Sequence, residues 1–536
     1  MTTVALLLLA SAVGFAAARA LRLPAVPFLI LAGLALSRVV PLPEDLVTDA
    51  LVLGVTVMVF VAGIELNPTR VGRQRKAAFQ VGLFQFLLLG LVGGGAAWLL
   101  GFDWQTTAYV ALALTASSTL VVIRVLQQRG QLFDPVGRMV TGVLLLQDLL
   151  VILLIPVLTR LPDGAGAIGM GILGTLGLVV LSGVMLRWVA PRLIPRLGRD
   201  EEPLLLLVLA TLFVFLGLAW FLDLPLVSGA FLAGVALSPF PSGSLIRGQL
   251  NSLSDFFSAI FFTALGAFLV LPSLGELAQA VGLAVVVLVL TPPLVTLIAE
   301  RAGFSARSAI QGGLLLAQTS EFSLVVALQG VVLEQITPGV FSILATVTVV
   351  TMIVTPFLAT DPVTWRLMKL HPFRKPRAPQ APPRDHILLA GCGSNGISLL
   401  EFLVVGPREV WVVDDDPAVV EQLREAGVSV IRGDISDPEV LLAAGVREAR
   451  VVVSTVRRAE DNGPLLDLSQ GRLALVRTFD GPEAEWVEAR GGHPIRYASA
   501  AAESFLTWFD EELDALESDA LESGASGSDA PRPGTS

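Results

Sequence analysis

A single acidic residue stands inside a long apolar stretch of the chain. Asp148 follows Gln147 in the run 143–152, and no other charged residue lies within nine positions of it on either side. Ionisable residues in such surroundings are costly and mark functional sites by default. Asp148 can hold a proton or a desolvated monovalent cation in turn, and this competition would couple cation movement to proton counter-movement. The alternative is that Asp148 is a structural hydrogen-bond partner of a neighbouring helix.

Two other apolar segments are interrupted by polar residues. One interruption lies in 114–120 and the other in 316–322. Such breaks free main-chain carbonyls that can ligate a cation, and the dipoles of the half-helices can offset one another's charge. The acid in the second interruption, Glu321, either binds the ion or caps a broken helix. Besides Gln147 and Asp148, the candidate ion-site residues are Thr115, Ser117, Ser118 and Thr119 in the first interruption and Gln318, Ser320 and Glu321 in the second.

Membrane-spanning helices must hold these residues in place. The chain is 54% apolar and only 15% charged, against about 25% charged residues in a soluble domain, which excludes a purely soluble protein. A membrane span needs about 20 mostly apolar residues. Thirteen segments are candidates, two of them short or broken: 3–19, 24–39, 46–64, 77–101, 105–126, 136–159, 165–189, 202–221, 224–239, 254–271, 276–298, 307–331 and 337–360.

The charges of the loops alternate along the chain. Loops after odd-numbered spans hold 16 basic residues, whereas loops after even-numbered spans hold only Arg38 and Arg160. Because basic residues concentrate in cytoplasmic loops, we expect the N-terminus outside and the part after the last span in the cytoplasm. A hydrophobic soluble enzyme would not show this alternation.

The two polar interruptions lie in spans 5 and 12. These spans are seven apart, an odd number, so they cross the membrane in opposite senses. The pattern indicates inverted repeats in which spans 1–6 match spans 8–13, with span 7 as a connector. Paired broken helices point to an ion site near the middle of the bilayer. Ser and Thr residues that merely join helices would explain one such cluster but not a symmetric pair.

The part after the spans has a different composition. Residues 361–536 hold 18 basic and 29 acidic residues, which argues against a nucleic-acid partner. The single cysteine, Cys392, excludes a disulfide scaffold. We predict four parts: a transmembrane exchange domain at 1–360, an extended Pro-rich linker at 361–384, a Rossmann-type domain at 385–512 and a disordered acidic tail at 513–536.

A glycine motif opens the soluble part. Gly391, Gly393 and Gly396 fit the pattern G-x-G-x-x-G between a predicted strand and helix, and Asp414 lies 18 residues past the last glycine. The glycines would let a phosphate approach the helix N-terminus, and Asp414 would accept ribose hydroxyls. The candidate nucleotide-site residues are Gly391, Gly393, Ser394, Asn395, Gly396, Asp414 and Asp434. Strands are predicted at 386–390, 409–414, 428–433, 449–456, 472–479 and 493–498, with helices at 397–405 and near 438–444.

The membrane part resembles the monovalent cation:proton antiporter superfamily, and within it the Kef-type potassium/proton antiporters. The segments that carry the resemblance are Thr115–Thr119 with Arg124 and Arg129, Leu146–Leu149 with Pro156, Ala230–Gly234, Phe261–Gly266 and Leu316–Phe322. The resemblance runs through nearly the whole membrane part. It implies a polytopic α-helical fold of the NhaA and NapA type with about thirteen spans and inverted repeats. It also implies a homodimer in the bacterial inner membrane, with an elevator-like core moving against a dimer scaffold.

The resemblance also bears on the cation. Gln147 and Asp148 stand where sodium-selective electrogenic relatives carry two adjacent aspartates, so it implies K⁺ and electroneutral exchange, with K⁺ or Na⁺ held transiently by Asp148. Two features depart from the Kef pattern. Thr291-Pro292-Pro293 replaces a lysine in span 11, which leaves the coupling stoichiometry open. The loop 242–253 contains no acidic residue, so glutathione gating is not supported.

The soluble part resembles the nucleotide-binding regulatory domain, of the RCK or TrkA-N type, found in potassium transporters and channels. The resemblance is carried by 427–434, 435–445 and 449–455. It implies NAD(H), AMP or another adenine nucleotide as a regulatory ligand, and no cofactor required for transport. Ser394 and Asn395 stand where many members carry an arginine, so the nucleotide stays open. A Rossmann shell that only dimerises is the alternative.

Three other functions remain as alternatives to a K⁺/H⁺ antiporter. A Na⁺/H⁺ antiporter of the same fold differs only at Gln147. A ligand-gated cation channel fits the inverted repeats poorly, and the sequence has no Thr-Val-Gly-Tyr-Gly type filter. A membrane-tethered NAD-dependent oxidoreductase would need an acid or base near the nicotinamide, and no His or Lys stands out after the fingerprint. The sequence therefore predicts a transporter rather than an enzyme.

Overall fold

A computed structural model of the chain describes residues 2–65, 74–193, 201–238, 244–370 and 384–496, together with residues 499, 502–503 and 505–509. The chain divides into two compact units, Met1–Pro372 and Phe373–Ser536. The described part of the first unit is helical, and the second contains a parallel sheet. The predicted acidic tail at 513–536 lies outside the described residues.

The helices of the first unit follow the apolar runs, because main-chain polar groups within a bilayer must pair inside their own segment. They are α1 (Thr2–Leu21), α2 (Ala25–Val39), α3 (Glu44–Glu65), α4 (Arg75–Leu99), α5 (Trp104–Ala113), α6 (Thr119–Gln128), α7 (Pro135–Leu158), α8 (Ala165–Val184), α9 (Ala190–Leu193), α10 (Glu201–Phe221), α11 (Leu226–Leu237), α12 (Ser244–Phe268), α13 (Leu274–Arg301), α14 (Ala306–Leu315), α15 (Glu321–Val332), α16 (Pro338–Leu358) and α17 (Asp361–Lys369). A π-helical turn, Met185–Val189, joins α8 to α9.

All thirteen predicted spans coincide with helices. Eight of the described helices are long and apolar enough to cross a membrane. Three further spans correspond to the shorter apolar helices α2 and α11 and to the segment Ser254–Phe268 of α12. The remaining two, predicted at 105–126 and 307–331, are pairs of short helices, α5 with α6 and α14 with α15. The predicted helical membrane architecture is therefore confirmed.

The helix packing follows the predicted internal repeat. In the first half α4 packs against α5 and α7, and in the second half the matching helix α13 packs against α14 and α16. Helix α2 packs against α12, and α3 packs against α11. In the repeat, α2 corresponds to α11 and α3 corresponds to α12. The contact between α2 and α12 is therefore the counterpart of the contact between α11 and α3. The repeat therefore appears in the tertiary contacts as well as in the polar interruptions.

Glycines sit where the crossing helices approach most closely. A Cβ atom at Gly63 of α3 would collide with the main chain of α11 at Phe231, and one at Gly234 of α11 would collide with the main chain of α3 at Phe60. Gly33 of α2 and Gly266 of α12 face each other's helices in the same way. Small residues at such positions let helix backbones meet inside a membrane.

The second unit is a Rossmann-type sheet. Its elements are β1 (Ile387–Ala390), α18 (Ser394–Val404), β2 (Val410–Asp414), α19 (Pro417–Glu425), β3 (Ser429–Arg432), α20 (Pro438–Ala443), β4 (Val451–Ser454), α21 (Gly463–Leu468), β5 (Leu473–Thr478), α22 (Gly481–Glu488) and β6 (His493–Arg496). All strands are parallel, in the order β3-β2-β1-β4-β5-β6. Leu389 of β1 pairs with Val412 on one side and Val453 on the other, so the glycine turn after β1 lies at the switch point of the sheet. The predicted strands and both predicted helices are confirmed.

The start of the predicted linker is not extended. Residues 361–369 form helix α17, with Pro362 in its first turn, where proline is compatible with a helix. Thr364 and Met368 are buried, and α17 packs against α14. The high proline content of 361–384 concealed this short amphipathic helix, and residues 371–383 lie outside the described ranges.

The close crossing of α3 and α11 gives a test of the fold. Replacing Gly234 with Leu forces the helices apart and should lower the melting temperature of the purified protein, since overpacking a tight contact costs about 1–3 kcal/mol. Gly217→Leu is the matched control, because a Cβ atom at Gly217 of α10 meets nothing within 4 Å. Thermal shift measured by size-exclusion chromatography compares the two variants. Equal melting temperatures would contradict this packing.

Candidate functional site

Two breaks interrupt the fifth and twelfth spans. Helix α5 ends at Ala113 and α6 begins at Thr119, whereas α14 ends at Leu315 and α15 begins at Glu321. A serine caps each second half-helix. The side chain of Ser118 accepts a hydrogen bond from the backbone N–H of Val121 at 3.3 Å, and that of Ser320 accepts one from Phe322 at 3.1 Å. Serine stabilises helix N-termini in this way, so the polar interruptions themselves create the half-helix starts.

Asp148 of α7 lies beside the first break. The hydroxyl of Thr119 donates a hydrogen bond to Asp148 Oδ2 at 2.9 Å. The carboxylate is 5% exposed, and its other oxygen, Oδ1, has no hydrogen-bond partner among the described residues. No described lysine or arginine forms an ion pair with it. Asp148 is therefore a buried acid with one oxygen left open.

Glu321 brings a second acid from the other break. It is 4% exposed and lies within hydrogen-bonding reach of the Ser118 hydroxyl and the backbone N–H of Leu120. Its Oε2 atom lacks a hydrogen-bond partner in the described part of the chain. The two carboxylates are near enough for their charges to interact. Both carboxyl groups therefore lie near the N-terminus of α6, whose partial positive charge stabilises carboxylates.

Gln147 faces the first break rather than the acids. Its Oε1 atom accepts a hydrogen bond from the backbone N–H of Ser117 at 3.1 Å, which fixes the orientation of the amide. The Ser117 hydroxyl donates to the carbonyl of Leu316 in the second break at 2.8 Å. Gln85 of α4, which is fully buried, donates through Nε2 to the Ser117 hydroxyl at 3.4 Å. A chain of buried polar groups therefore links α4, α7 and both breaks.

Two further predicted ion-site residues, Thr115 and Gln318, bond to main-chain carbonyls at the ends of α5 and α14. Thr115 turns back to its own helix and donates to the Leu112 carbonyl at 2.7 Å, away from the acids. Gln318 donates to the Leu315 carbonyl at 3.3 Å and leaves Oε1 without a described partner. The amide oxygen of Gln318 thus joins Glu321 Oε2 as a side-chain oxygen without a described partner at the second break.

The nucleotide turn has the geometry that its glycines predicted. Gly391 has φ +80°, which favours glycine, and a Cβ atom at Gly396 would collide with the Gly391 carbonyl. Gly393 caps the N-terminus of α18, and a Cβ atom there would meet nothing within 4 Å. A helix that begins directly after a glycine turn is a place where main-chain N–H groups can bind a phosphate. The side chains of Ser394 and Asn395 lie outside the described residues.

Asp414 ends β2 next to this turn. Its Oδ2 accepts a hydrogen bond from the backbone N–H of Cys392 at 2.5 Å and its Oδ1 accepts one from Asp416 at 2.8 Å. Burial raises the pKa of Asp414, although these two hydrogen bonds oppose the rise. Asp434 follows β3, and its Oδ1 accepts a hydrogen bond from the backbone N–H of Ser436 at 2.8 Å. Both acids stand at the carboxyl ends of neighbouring strands, where such sheets bind ligands.

Cys392 is a structural residue of the turn. It is fully buried, and burial together with the neighbouring Asp414 carboxylate raises the pKa of its thiol to about 12. The thiol is therefore protonated at neutral pH and is a poor nucleophile.

Comparison with known proteins identifies the membrane unit. The family model for the transmembrane sodium/hydrogen exchanger matches residues 4–365, about two thirds of the chain. The chain belongs to the sodium/hydrogen exchanger family. A second family model, the TrkA-N domain, matches residues 387–470 of this exchanger. The protein is thus a multi-pass cation:proton exchanger with a C-terminal TrkA-N domain, and the prediction of a transporter rather than an enzyme is confirmed.

Two solved structures are similar to parts of the chain. The sodium proton antiporter MjNhaP1 from Methanocaldococcus jannaschii is 17% identical and matches with a TM-score of 0.54, over 68% of the exchanger and 98% of the antiporter. The TrkA-N domain of the inner membrane protein YbaL from Escherichia coli is 21% identical over 24% of the exchanger and 97% of that domain, with a TM-score of 0.23. The first match confirms the predicted antiporter fold.

Sequence reasoning missed several site residues of the exchanger. Gln85 is one, and three threonines of α16 are the others. Thr348 and Thr351 bond to Thr319 in the second break, and Thr355 donates to the Ala317 carbonyl at 2.9 Å. The spacing of the threonines places them on one face of a helix, and this was the available signal.

Proposed function

We propose that this exchanger is a K⁺/H⁺ antiporter in which Asp148 carries the cation and the proton in turn. The observation that supports this most is the open Oδ1 atom of a buried carboxylate that has no described basic partner. A buried charge without compensation is too costly to persist. A bound proton or a bound cation removes this cost, and the two compete for the same atom.

Glu321 is the second member of the proposed site. Two acids that share a buried site cannot both be charged without a counter-charge. The unpartnered atoms Asp148 Oδ1, Glu321 Oε2 and Gln318 Oε1 are all oxygens, and oxygen atoms replace the hydration shell of alkali cations. In the proposed cycle one cation enters this set of oxygens as one proton leaves it.

The choice of K⁺ rests on Gln147. Its neutral amide occupies the position beside Asp148 where a second aspartate would add negative charge, and the Kef-type resemblance associates this arrangement with K⁺ and electroneutral exchange. Na⁺ is the second candidate, favoured by the structural match to a sodium proton antiporter. The loop charges support an N-terminus outside and a cytoplasmic TrkA-N domain. A bacterial inner membrane follows from the resemblance. A homodimer follows from the resemblance alone.

Nucleotide binding to the TrkA-N domain is the proposed means of regulation. The open glycine turn and Asp414 support an adenine nucleotide, NAD(H) or AMP, with phosphate at the start of α18. Helix α17 is the last described helix before the TrkA-N domain in the chain, and it packs against α14. Arg307, in the first turn of α14, lies over the ring of Trp365 at 5.5 Å and pairs with Asp361 at 3.7 Å. Helix α14 in turn leads directly to the second break.

Asp148→Asn tests the transport proposal. The amide can hold neither a proton nor a cation in exchange, so K⁺-driven proton movement in proteoliposomes should fall at least a hundredfold. Asp163→Asn is the matched control, because Asp163 is an exposed carboxylate at the end of the same span. Activity against K⁺, Na⁺ and Li⁺ gives the selectivity. Full activity of Asp148→Asn would refute the proposal, and flux above carrier rates would favour a channel.

Asp414→Ala tests nucleotide binding. Removing a carboxylate that hydrogen-bonds a ribose costs about 1.5–3 kcal/mol, so the affinity of the full-length exchanger for its nucleotide should fall about tenfold or more. Isothermal titration with NADH and AMP measures it, with exposed Asp467→Ala as the control. If neither nucleotide binds the wild type, or if Asp414→Ala binds as well as the wild type, the result would favour the alternative that this domain serves only for dimerisation.

A further inference from the structure

A serine from each broken span bonds to a main-chain carbonyl of the other. The Ser117 hydroxyl, in the first break, donates to the carbonyl of Leu316, which caps the end of α14. The Ser323 hydroxyl, in the first turn of α15, donates to the carbonyl of Ala113, the last residue of α5. Both serines are buried. The two spans are therefore joined by a reciprocal pair of hydrogen bonds.

In these bonds, carbonyls that the breaks set free accept hydrogen bonds from side chains. Three more such carbonyls accept hydrogen bonds from Thr115, Gln318 and Thr355. The main-chain acceptors and their side-chain donors are Leu112 with Thr115, Ala113 with Ser323, Leu315 with Gln318, Leu316 with Ser117 and Ala317 with Thr355. At these five positions the carbonyls that the breaks set free already accept a hydrogen bond from a side chain. Among the buried side chains of the site, Asp148, Glu321 and Gln318 each keep one oxygen without a described partner.

Ser117 has no hydrogen-bonding capacity to spare as a donor. Its hydroxyl donates to Leu316 and accepts from Gln85, and its backbone N–H donates to Gln147. Ser323 lies beyond the second break and bonds to the end of α5. Neither serine contacts Asp148 or Glu321 through any bond described above, yet both fix the spans on which those acids and their partners stand.

We propose that Ser117 and Ser323 are positioning residues for cation exchange. They hold the two broken spans as one body. The second break supplies Glu321 and Gln318, and Asp148 is bonded to the start of α6 through Thr119, so joining the spans brings the three side-chain oxygens into a single site. The inference rests on the proposed antiport function and specifies how its ligands are assembled. It predicts that either serine affects cation affinity although neither binds the cation.

Kinetics of Ser117→Ala, Ser323→Ala and the double variant test this inference in proteoliposomes. Each single variant should raise the KM for K⁺ about five- to tenfold with a smaller change in maximal rate, because the oxygens are less well aligned. The double variant should raise it little more than either one, since both bonds join the same two bodies. Ser342→Ala is the control, a buried serine of α16 whose hydroxyl has no described partner, and it should retain the wild-type KM.

The outcomes separate the alternatives. An effect of Ser117→Ala without an effect of Ser323→Ala would overturn the inference in favour of a ligand role for Ser117. Wild-type KM values in both single variants would overturn it while leaving antiport by the wild type intact, whereas an inactive wild type would refute the proposed function itself. If either variant fails to fold, Gln85→Leu, which removes only the donor to Ser117, should still raise the KM. An unchanged KM in Gln85→Leu would then overturn the inference.

Discussion

The cost of burying two carboxylates without a counter-charge is the constraint on which the membrane unit depends. Asp148 and Glu321 are almost fully buried, each has an oxygen without a described partner, and no described basic residue pairs with either. The N-terminus of α6 stabilises negative charge there but does not neutralise it. In the proposed cycle a proton or a cation completes the site. The two breaks place these acids, which are far apart in the sequence, at the same end of α6.

The repeat explains how a simple helical unit makes such a site. Each half of the chain supplies one broken span, packed between two unbroken ones. The halves differ in what supports the break: α7 presents Gln147 and Asp148 to the first, whereas α16 presents three threonines to the second. Asp148 thus comes from a helix beside the first break and Glu321 from the second break itself, where hydroxyl groups of α16 hold the main chain.

Much of this was predictable from the sequence, for physical reasons. Membrane spans need long apolar runs, a charge inside one is rare, and G-x-G-x-x-G between a strand and a helix has few other uses, so the spans, Asp148 and the nucleotide turn could all be located. Gln85 could not, because a single polar residue in an apolar helix gives the same pattern whether it faces lipid or a break. The threonines of α16 left a signal in their spacing. Helix α17 was concealed by prolines that a first helical turn tolerates. The Thr115 side chain bonds back to its own helix, and this depends on its rotamer, which no sequence pattern predicts.

The most direct measurement of the central claim is proton release on cation binding. Purified exchanger in detergent and weak buffer, at a pH where transport is active, is titrated with KCl against choline chloride while the pH is recorded. A site in which the cation displaces a proton should release about one proton per cation bound in the wild type. Asp148→Asn should release none. Cation binding without proton release in the wild type, or equal release in Asp148→Asn, would contradict exchange at this carboxylate.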